Sequence, residues 1–486
     1  MRFLAASLIL AAALVARAQT NSVREMALQD CFAEALTHNF DIQYERYAPD
    51  ISLDELNEAY AGYDPEFTLS GEHSHNRFPG PSDLALTNGY PYQDENTFSS
   101  GLTGVLPTGG SYNFSGSVQD ITTLDSSGGS AGVAVTQPLL KNFWIDGTRL
   151  AITAAKNNLK QSDQALRSQV ITTVTAVEVA YYELIYAREN VKVQEEALGL
   201  AQQQYSDDKA RVDIGTVAQS GGTLEQDEAS VAQDRANLIA AQFGFVQAQN
   251  TLKNLITDKY TSWHDTDISP GTMDAVKQLF DLQDSWTKGM TQRPDLIEAK
   301  IGVEQQGIQL KYDKNQIWPE IDLTGSYGFN GAGQEFSDSL GQIRAGDRPY
   351  YSYGAQLSVP LSNAHARNVY KADRDVDRQL LLKLKELEQN ILVQIDNDVK
   401  NAESTWESVD ATREARVAAE AALHAEQEKY QVGKSTTFVV LQLQNTLTAA
   451  RNAEIRAIAN YNESLATLAQ DEGSTLERRQ IDFKVK

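Results

Sequence analysis

The chain has 486 residues, and its 66 acidic residues outnumber its 42 basic residues, which gives a formal net charge of -24. This charge argues against nucleic acid as a partner, because phosphate backbones are bound by clustered positive charge. Cys31 is the single cysteine, so the chain can form neither an internal disulfide nor a cysteine-based zinc site.

The N-terminus has the pattern of a cleavable secretory signal over residues 1–18. Arg2 is followed by an apolar run over residues 3–15 and by small residues just before Gln19. A transmembrane anchor is the weaker alternative, because the run is shorter than the roughly 20 residues that a spanning helix needs. The sequence predicts no membrane-spanning helix elsewhere.

One motif occurs twice in the sequence. The motif P-E-[FI]-x-L-[ST]-G begins at Pro65 and again at Pro319. A long internal repeat of this kind indicates a duplicated architecture. Two further matches follow in the same order: Gln137-Pro138-Leu139 with Val359-Pro360-Leu361, and Gly215 with Gly433.

The matches divide the chain into two repeats. Repeat one covers residues 19–257 and repeat two covers residues 285–470. A linker at 258–284 joins them, and a C-terminal tail follows at 471–486.

Apolar residues spaced by threes and fours predict long amphipathic helices in both repeats. The longer helices would measure on the order of 80 to 100 Å. Gly215 and Gly433 end them, which predicts two antiparallel hairpins with glycine at each tip. The four predicted helices cover residues 149–205, 223–257, 363–430 and 436–470.

Alternating apolar and polar residues predict strands in both repeats. Repeat one also has an additional predicted hairpin, turning at Thr108-Gly109-Gly110. Segments 78–96 and 331–349 are rich in Gly, Pro, Asp and Asn, which predicts exposed loops. The predicted strands are 67–75, 97–107, 111–118 and 133–139 in repeat one, and 321–330 and 351–359 in repeat two.

Four to six strands cannot close a membrane barrel alone, since the smallest such barrels have about eight. An open sheet edge cannot face lipid, because each unpaired backbone group would cost several kcal/mol. If these strands span a membrane, the chain must therefore oligomerise.

The ordered motifs together resemble the TolC family of outer-membrane channels. The resemblance rests on the secretory signal, the two P-E strand starts, the Gln137-Pro138-Leu139-Leu140 strand end and the glycine hairpin tips. It implies an α+β membrane protein in the Gram-negative outer membrane. A homotrimer would contribute about four strands per chain to a 12-stranded β-barrel, continued by a periplasmic tunnel of long α-helical hairpins.

The resemblance also implies a function. The chain would be the passive exit duct of a tripartite efflux or type I export system. Its partners would be outer-membrane lipid, a periplasmic adaptor protein and an inner-membrane transporter of the RND, ABC or MFS class. The alternative is a periplasmic adaptor or a surface coiled-coil structural protein, which would not explain two matched sets of strands.

Candidate site residues follow from the same resemblance. Family members often have aspartates six and nine positions after the second tip glycine, where this chain has Val439 and Gln442. An entrance constriction at those two positions would therefore lack an acidic gate. Pro65 and Pro319 are predicted to mark the change from helix to strand. The predicted adaptor-docking tips are Gly215, Thr216, Gly433, Lys434 and Ser435.

Three acidic residues follow the first tip: Glu225, Asp227 and Glu228. They could form a gate, but we favour a role at the positive end of the helix dipole. No arrangement of nucleophile, base and orienting group indicates an enzyme. No cofactor is predicted, and His73 and His75 lack a third ligand for a metal.

Overall fold

The computed structural model describes residues 22–77, 92–213 and 223–483. The helices are α1 (Leu28–His38), α2 (Phe40–Glu45), α3 (Tyr47–Ala61), α4 (Gly147–Asp213), α5 (Thr223–Ile256), α6 (Tyr260–Trp263), α7 (Leu282–Gln292), α8 (Pro294–Gln316), α9 (Phe336–Ala345), α10 (Ala364–Gln431), α11 (Thr437–Glu472) and α12 (Thr475–Arg478), with a 3-10 helix at Thr122–Leu124. The strands are β1 (Ser22–Met26), β2 (Glu66–Arg77), β3 (Tyr92–Val105), β4 (Ser111–Ile121), β5 (Ser126–Pro138), β6 (Thr266–Pro270), β7 (Glu320–Gly333) and β8 (Pro349–Ser358).

Four long helices form two hairpins, as the spacing of apolar residues predicts. α4 has 67 residues and packs against α5, which has 34; α10 has 68 and packs against α11, which has 36. α4 and α10 are therefore each about 100 Å long. α4 also packs against α11. Two ion pairs join these helices: Arg451 with Glu196 at 2.6 Å, and Arg456 with Glu183.

The largest buried cluster lies in repeat one, where α1, α4, α5 and β6 meet. Val174, Leu184 and Leu252 are fully buried there, together with Cys31 and Ile268. Complete burial of an aliphatic side chain contributes about 1.5–3 kcal/mol. Repeat two instead has three smaller clusters spread along α10 and α11.

α4 is the one helix in the described ranges that is long and apolar enough to cross a membrane. However, 67% of its most apolar window is buried inside the chain. Buried core helices have the same composition as membrane spans, so packing against α1 and α5 accounts for its apolar residues.

A short parallel sheet of β1 and β6 was not predicted from the sequence. β6 lies in the polar 258–284 segment and pairs with the first described residues of repeat one. Tyr181 of α4 secures this sheet, because its hydroxyl donates to Met26 O at 3.0 Å and accepts from Gly271 N at 2.8 Å.

The main sheet is antiparallel, with the order β2-β3-β4-β5-β7-β8 in the described part of the chain. The sheet therefore contains all six predicted strands, two more than the four per chain that the family resemblance implies for the barrel. The additional hairpin of repeat one, β3 and β4, lies inside the sheet between β2 and β5. Its turn has the predicted glycine, Gly109, with φ +84°.

The prediction that residues 331–349 form an exposed loop is wrong, because this segment contains helix α9. A capping box between Glu335 and Asp338 begins this helix, and Gly346 ends it with φ 73°. α9 packs on β4, β5 and β7, and Phe336 meets Phe98 of β3 edge-on at 5.4 Å. The glycines that flank α9 indicated a loop, whereas the helix depends on contacts with strands that are mostly distant in sequence. Residues 78–91 of the other predicted loop lie outside the described residues, and its remaining residues, 92–96, belong to strand β3.

Candidate functional site

The six-stranded sheet has one apolar face. One straight row of paired residues crosses all six strands on this face, and most of its large side chains are exposed: Phe67 is 67% exposed and Tyr351 is 75% exposed. The row is Phe67, Leu102, Phe114, Val133, Tyr327 and Tyr351.

The opposite face of the sheet is polar. The adjacent row is Glu66, Thr103, Asn113, Ala134, Ser326 and Ser352. Side chains on this face bond across strands: Ser70 lies 2.6 Å from Ser99, and Ser326 lies 2.7 Å from Ser352. A sheet with one exposed apolar face and one polar face has the pattern of a transmembrane barrel wall.

Aromatic residues lie where the strands give way to the helices. Trp144 is 47% exposed and Trp318 is 53% exposed. The Arg149 guanidinium lies 4.7 Å from the centre of the Trp144 ring. Exposed Trp near a cationic side chain is typical of a membrane interface, where the ring contacts lipid and its polar edge contacts water.

Pro65 and Pro319 lie in the same region. Pro65 follows the end of α3 and directly precedes β2, and Pro319 follows the end of α8 and directly precedes β7. Proline lacks a backbone N–H, so each position suits a break between a helix and a strand.

The hairpin tips lie at the far end of the helices. Gly215 and Thr216 lie outside the described residues. Gly433 has φ +75° and follows the end of α10. Lys434 is exposed, and the Ser435 hydroxyl donates to Glu426 at 2.5 Å.

The proposed constriction residues do not point the same way. Val439 is half-buried, whereas Gln442 is exposed. Gln442 lines a groove of about 320 Å³ between α5 and α11, together with Phe438 and Asp234. Phe438 is 62% exposed, so an apolar side chain is available in this groove.

A buried carboxylate joins three helices near the tips. Asp208 of α4 is 1% exposed. Its Oδ1 accepts from the Tyr430 hydroxyl of α10 at 2.5 Å, and its Oδ2 accepts from the Thr437 hydroxyl of α11 at 2.9 Å. The amide of Gln204 donates to the same carboxylate at 2.9 Å.

The fourth helix, α5, adds a second acid. Asp227 is fully buried, and burial together with the charge of Asp208 raises the pKa of Asp227 to about 7. We call Asp208, Asp227, Tyr430 and Thr437 the tip cluster. It brings together residues from all four helices of the two hairpins, and its hydrogen bonds join α4, α10 and α11.

The sequence interpretation missed this cluster. The helix-dipole interpretation placed Asp227 on a solvated helix start, but only Glu225 and Glu228 are exposed there. Asp208 did give a usable signal, because it lies seven residues after buried Ala201 and so continues the buried face of α4. A carboxylate on a buried face needs partners.

Two further carboxyl pairs occur at other levels of the helices. Burial and a bond to Asp471 raise the pKa of Asp398 to about 7, although Arg293 opposes the shift. Burial and a bond to Asp373 raise the pKa of Asp313 to about 6. In each pair, one carboxyl group takes up a proton at a higher pH than an isolated aspartate does, because two neighbouring carboxylates repel each other.

The histidines of β2 contact their neighbours on β3. His73 Nδ1 lies 2.9 Å from Asn96 Oδ1, and His75 Nδ1 lies 2.5 Å from Asp94 Oδ1. Within the described ranges, no group of three or more His, Cys, Asp or Glu side chains is arranged to hold a metal ion.

Known proteins that resemble this chain are outer-membrane channels. The family described as outer membrane efflux protein matches residues 32–257 and 290–473. The chain therefore belongs to the outer membrane efflux protein family, and the predicted family and outer-membrane location are confirmed. The family and its members are channel proteins rather than enzymes.

Individual proteins agree with this assignment. Outer membrane efflux protein BepC of Brucella suis is 24% identical over 354 residues, which cover 72% of each chain. Outer membrane protein TolC of Escherichia coli K12 is 20% identical over 385 residues, which cover 76% of this chain and 74% of TolC. The CmeC outer membrane channel of Campylobacter jejuni has the same fold, with a TM-score of 0.70, 14% identity, and coverage of 94% of this chain and 90% of CmeC.

Proposed function

We propose that three copies of this chain form a passive exit duct through the outer membrane, coupled to a periplasmic adaptor and an inner-membrane pump of the RND, ABC or MFS class. The main support is that a single chain contains both the sheet and the long helical hairpins. An amphipathic sheet, apolar on one face and polar on the other, leads directly into two helical hairpins about 100 Å long.

The edges of the sheet support assembly with other copies. β2 and β8 are the outer strands, and among the described residues each has one edge without a partner strand. Unpaired backbone groups in lipid would each cost several kcal/mol. Pairing of β8 with β2 of the next copy removes every edge and closes a barrel.

The polar face of the sheet would then line the lumen. Serine and acidic side chains on this face, including Ser70, Ser99 and Glu66, can remain hydrated there. The net charge of -24 favours cations over anions along such a passage.

The hairpin tips would form the periplasmic entrance and the adaptor-docking surface. Gly433, Lys434 and Ser435 follow α10, and the groove beside Phe438 offers apolar contact close by. The corresponding tip of repeat one would include Gly215 and Thr216. The tip cluster would hold the two hairpins together and so limit opening at this end.

Single-channel recording tests the duct. The purified full-length chain in planar bilayers should produce discrete conductance steps, and Tyr430→Phe should enlarge or prolong them by loosening the tip cluster. Tyr205→Phe is the matched control, because its hydroxyl bonds to exposed Glu228 instead. A correctly folded protein that never conducts, with or without the Tyr430 change, would contradict the proposal.

Crosslinking tests the docking surface. A cysteine at Lys434 should crosslink to a periplasmic adaptor in intact cells. Leu382→Cys, 67% exposed on α10 but far from the tips in sequence, serves as the control. Labelling of the Lys434 position by an impermeant reagent from outside intact cells would overturn the proposed orientation.

A further inference from the structure

We propose that the inserted hairpin of repeat one, β3 and β4, forms part of the transmembrane wall, so that three copies close a barrel of 18 strands instead of 12. This inference rests on the proposed trimeric channel and specifies the width of its exit. The alternative is a hairpin that caps the barrel from outside the membrane.

The hairpin occupies the middle of the sheet. β3 pairs with β2 from Glu66–Thr103 to Arg77–Tyr92, and β4 pairs with β5 from Ser111–Thr136 to Ile121–Ser126. These ladders run without a gap from one end of the strands to the other. A cap would leave β2 paired with β5, whereas here β3 and β4 separate those two strands completely.

The faces of the hairpin match those of its neighbours. Leu102 and Phe114 pair with each other and lie in the apolar row that begins at Phe67 of β2 and ends at Tyr351 of β8. Phe114 is 50% exposed, and Phe98 is 51% exposed although one side of its ring meets Phe336 of α9. Water would not favour exposed aromatic residues at these positions, but lipid would.

The polar face is equally continuous. Thr103 and Asn113 lie in the polar row between Glu66 and Ala134. One further row on this face is almost entirely serine: Ser70, Ser99, Ser117, Ser130 and Asn330. A wall that separates lipid from water requires this division on every strand, and the inserted strands have it.

Strand length and direction also fit. β3 has 14 residues and β4 has 11, and a tilted membrane strand needs about 9–11. The sheet alternates in direction, so six strands leave β2 and β8 antiparallel. β8 can therefore pair with β2 of the next copy in the antiparallel manner that membrane barrels use. Insertion of two strands preserves this relation, whereas insertion of one would destroy it.

The consequence is a wider exit. With strands about 4.8 Å apart and tilted about 40°, the backbone diameter rises from about 24 Å for 12 strands to about 36 Å for 18. Each repeat has two long helices in the described part of the chain. The inserted hairpin therefore widens the exit without adding helices to the tunnel that feeds it.

Lipid contact of single cysteines tests the inference. Leu102→Cys and Phe114→Cys place a fluorescent label on the apolar face of the inserted hairpin, and Thr103→Cys places it on the polar face. Leu323→Cys and Thr324→Cys are the matched pair on β7. This strand lies outside the inserted hairpin and begins with the motif that both repeats share. Native Cys31 is fully buried, so labelling of the unmodified chain provides the background.

In vesicles with brominated acyl chains, labels at Leu102 and Phe114 should lose as much fluorescence as the label at Leu323. Labels at Thr103 and Thr324 should respond to a water-soluble quencher instead. If Leu323 responds to the lipid while Leu102 and Phe114 respond only to the aqueous quencher, the hairpin is not in the wall and the 18-stranded barrel is wrong. If Leu323 also fails to contact lipid, the proposed membrane channel itself is wrong.

A deletion provides a second test. Removal of residues 92–121 brings β2 beside β5 in antiparallel direction and leaves four strands per chain. The largest polyethylene glycol that enters the lumen from the sheet end should then become smaller. An unchanged exclusion size in a conducting variant would overturn the inference, and a variant that does not fold leaves the decision to the labelling result.

Discussion

The two repeats agree closely in their helices and differ in their strands. The long helices have 67 and 68 residues and the shorter ones have 34 and 36, whereas repeat one supplies four strands of the main sheet and repeat two supplies two. Equal helix lengths are required because both hairpins start beside one sheet and meet at the tip cluster. Strands are free to be added in pairs, because a hairpin leaves the outer strands and their directions unchanged.

The interiors of the two hairpins also differ, and substitutions there should have the largest effect on the free energy of unfolding. Leu184→Ala, in the large cluster of repeat one, should lower the free energy of unfolding by about 2–5 kcal/mol through lost burial and an internal cavity. Leu447→Ala, in a small cluster of repeat two, should cost less because its surroundings can relax. Denaturation midpoints measure both changes.

The matched control for Leu184 is exposed Leu382 on α10. Leu382→Ala should change the free energy of unfolding by no more than about 0.5 kcal/mol. Equal losses at Leu184 and Leu447 would mean that the two interiors are energetically alike, in spite of their different clusters.

The tip cluster is where the two repeats depend on each other. Tyr430→Phe removes the hydroxyl that bonds to buried Asp208, and a hydrogen bond to a charged group contributes about 1.5–3 kcal/mol. Hydrogen exchange should therefore accelerate at the end of α10 and at the start of α11. Tyr205→Phe, which loses only a bond to exposed Glu228, should leave the exchange rates nearly unchanged. Equal effects of the two changes would contradict the role of the cluster.

The stability of the tips should depend on pH. In the folded chain the pKa of Asp227 is raised from 3.8 to about 7, so the folded state binds the proton more tightly than the unfolded state. This contribution is complete below the unfolded pKa and is lost as the pH rises through about 7. Hydrogen exchange at the tips should therefore be faster at about pH 8 than at about pH 5 after correction for the intrinsic rate.

Asp227→Asn is the decisive variant for this pH dependence. It keeps the size of the side chain but cannot ionise, so the difference between the two pH values should become much smaller at the tips. Asp398 and Asp313 also have raised pKa values and remain unchanged in this variant. A global unfolding curve would include those groups, so exchange must be measured in α5, α10 and α11. An unaltered pH difference at the tips would refute the assignment to Asp227.

The smallest expected effect on stability comes from replacing a glycine, and its sign should differ between a hairpin tip and the middle of a helix. Gly433→Ala should destabilise the chain by about 1–2 kcal/mol, because a side chain disfavours the left-handed backbone at φ +75°. Gly199→Ala, within α4, should instead stabilise it by about 0.5–1 kcal/mol. An added Cβ meets no described atom within 4 Å at either position, so backbone preference alone sets the sign. Thermal unfolding of the two variants checks that opposite sign.

The sequence predicted those parts of the molecule that depend on local periodicity. The buried positions Leu166, Val170 and Val174 follow the spacing that predicted α4, and the alternation after Pro319 predicted β7. Strand order was beyond reach, because alternation reveals that β3 and β4 are strands but not that they separate β2 from β5. The same limit applies to β6, which is a strand only because β1 lies beside it.

The tip cluster shows a second limit. Asp208, Asp227, Tyr430 and Thr437 come from four helices, and their contacts depend on how two hairpins pack together. Each residue alone has an ordinary explanation as a polar residue near a helix end. Only its complete burial beside the Asp208 carboxylate separates Asp227 from exposed Glu225 and Glu228.

A reconstruction of the purified full-length chain by electron cryo-microscopy, in a lipid environment, is the most direct test of the trimeric channel. We expect three copies around one axis, with β8 of each copy paired to β2 of the next and one lumen continuing from the sheet into the helical hairpins. Copies whose sheets remain separate, or a closed barrel with no passage into the helical part, would contradict it.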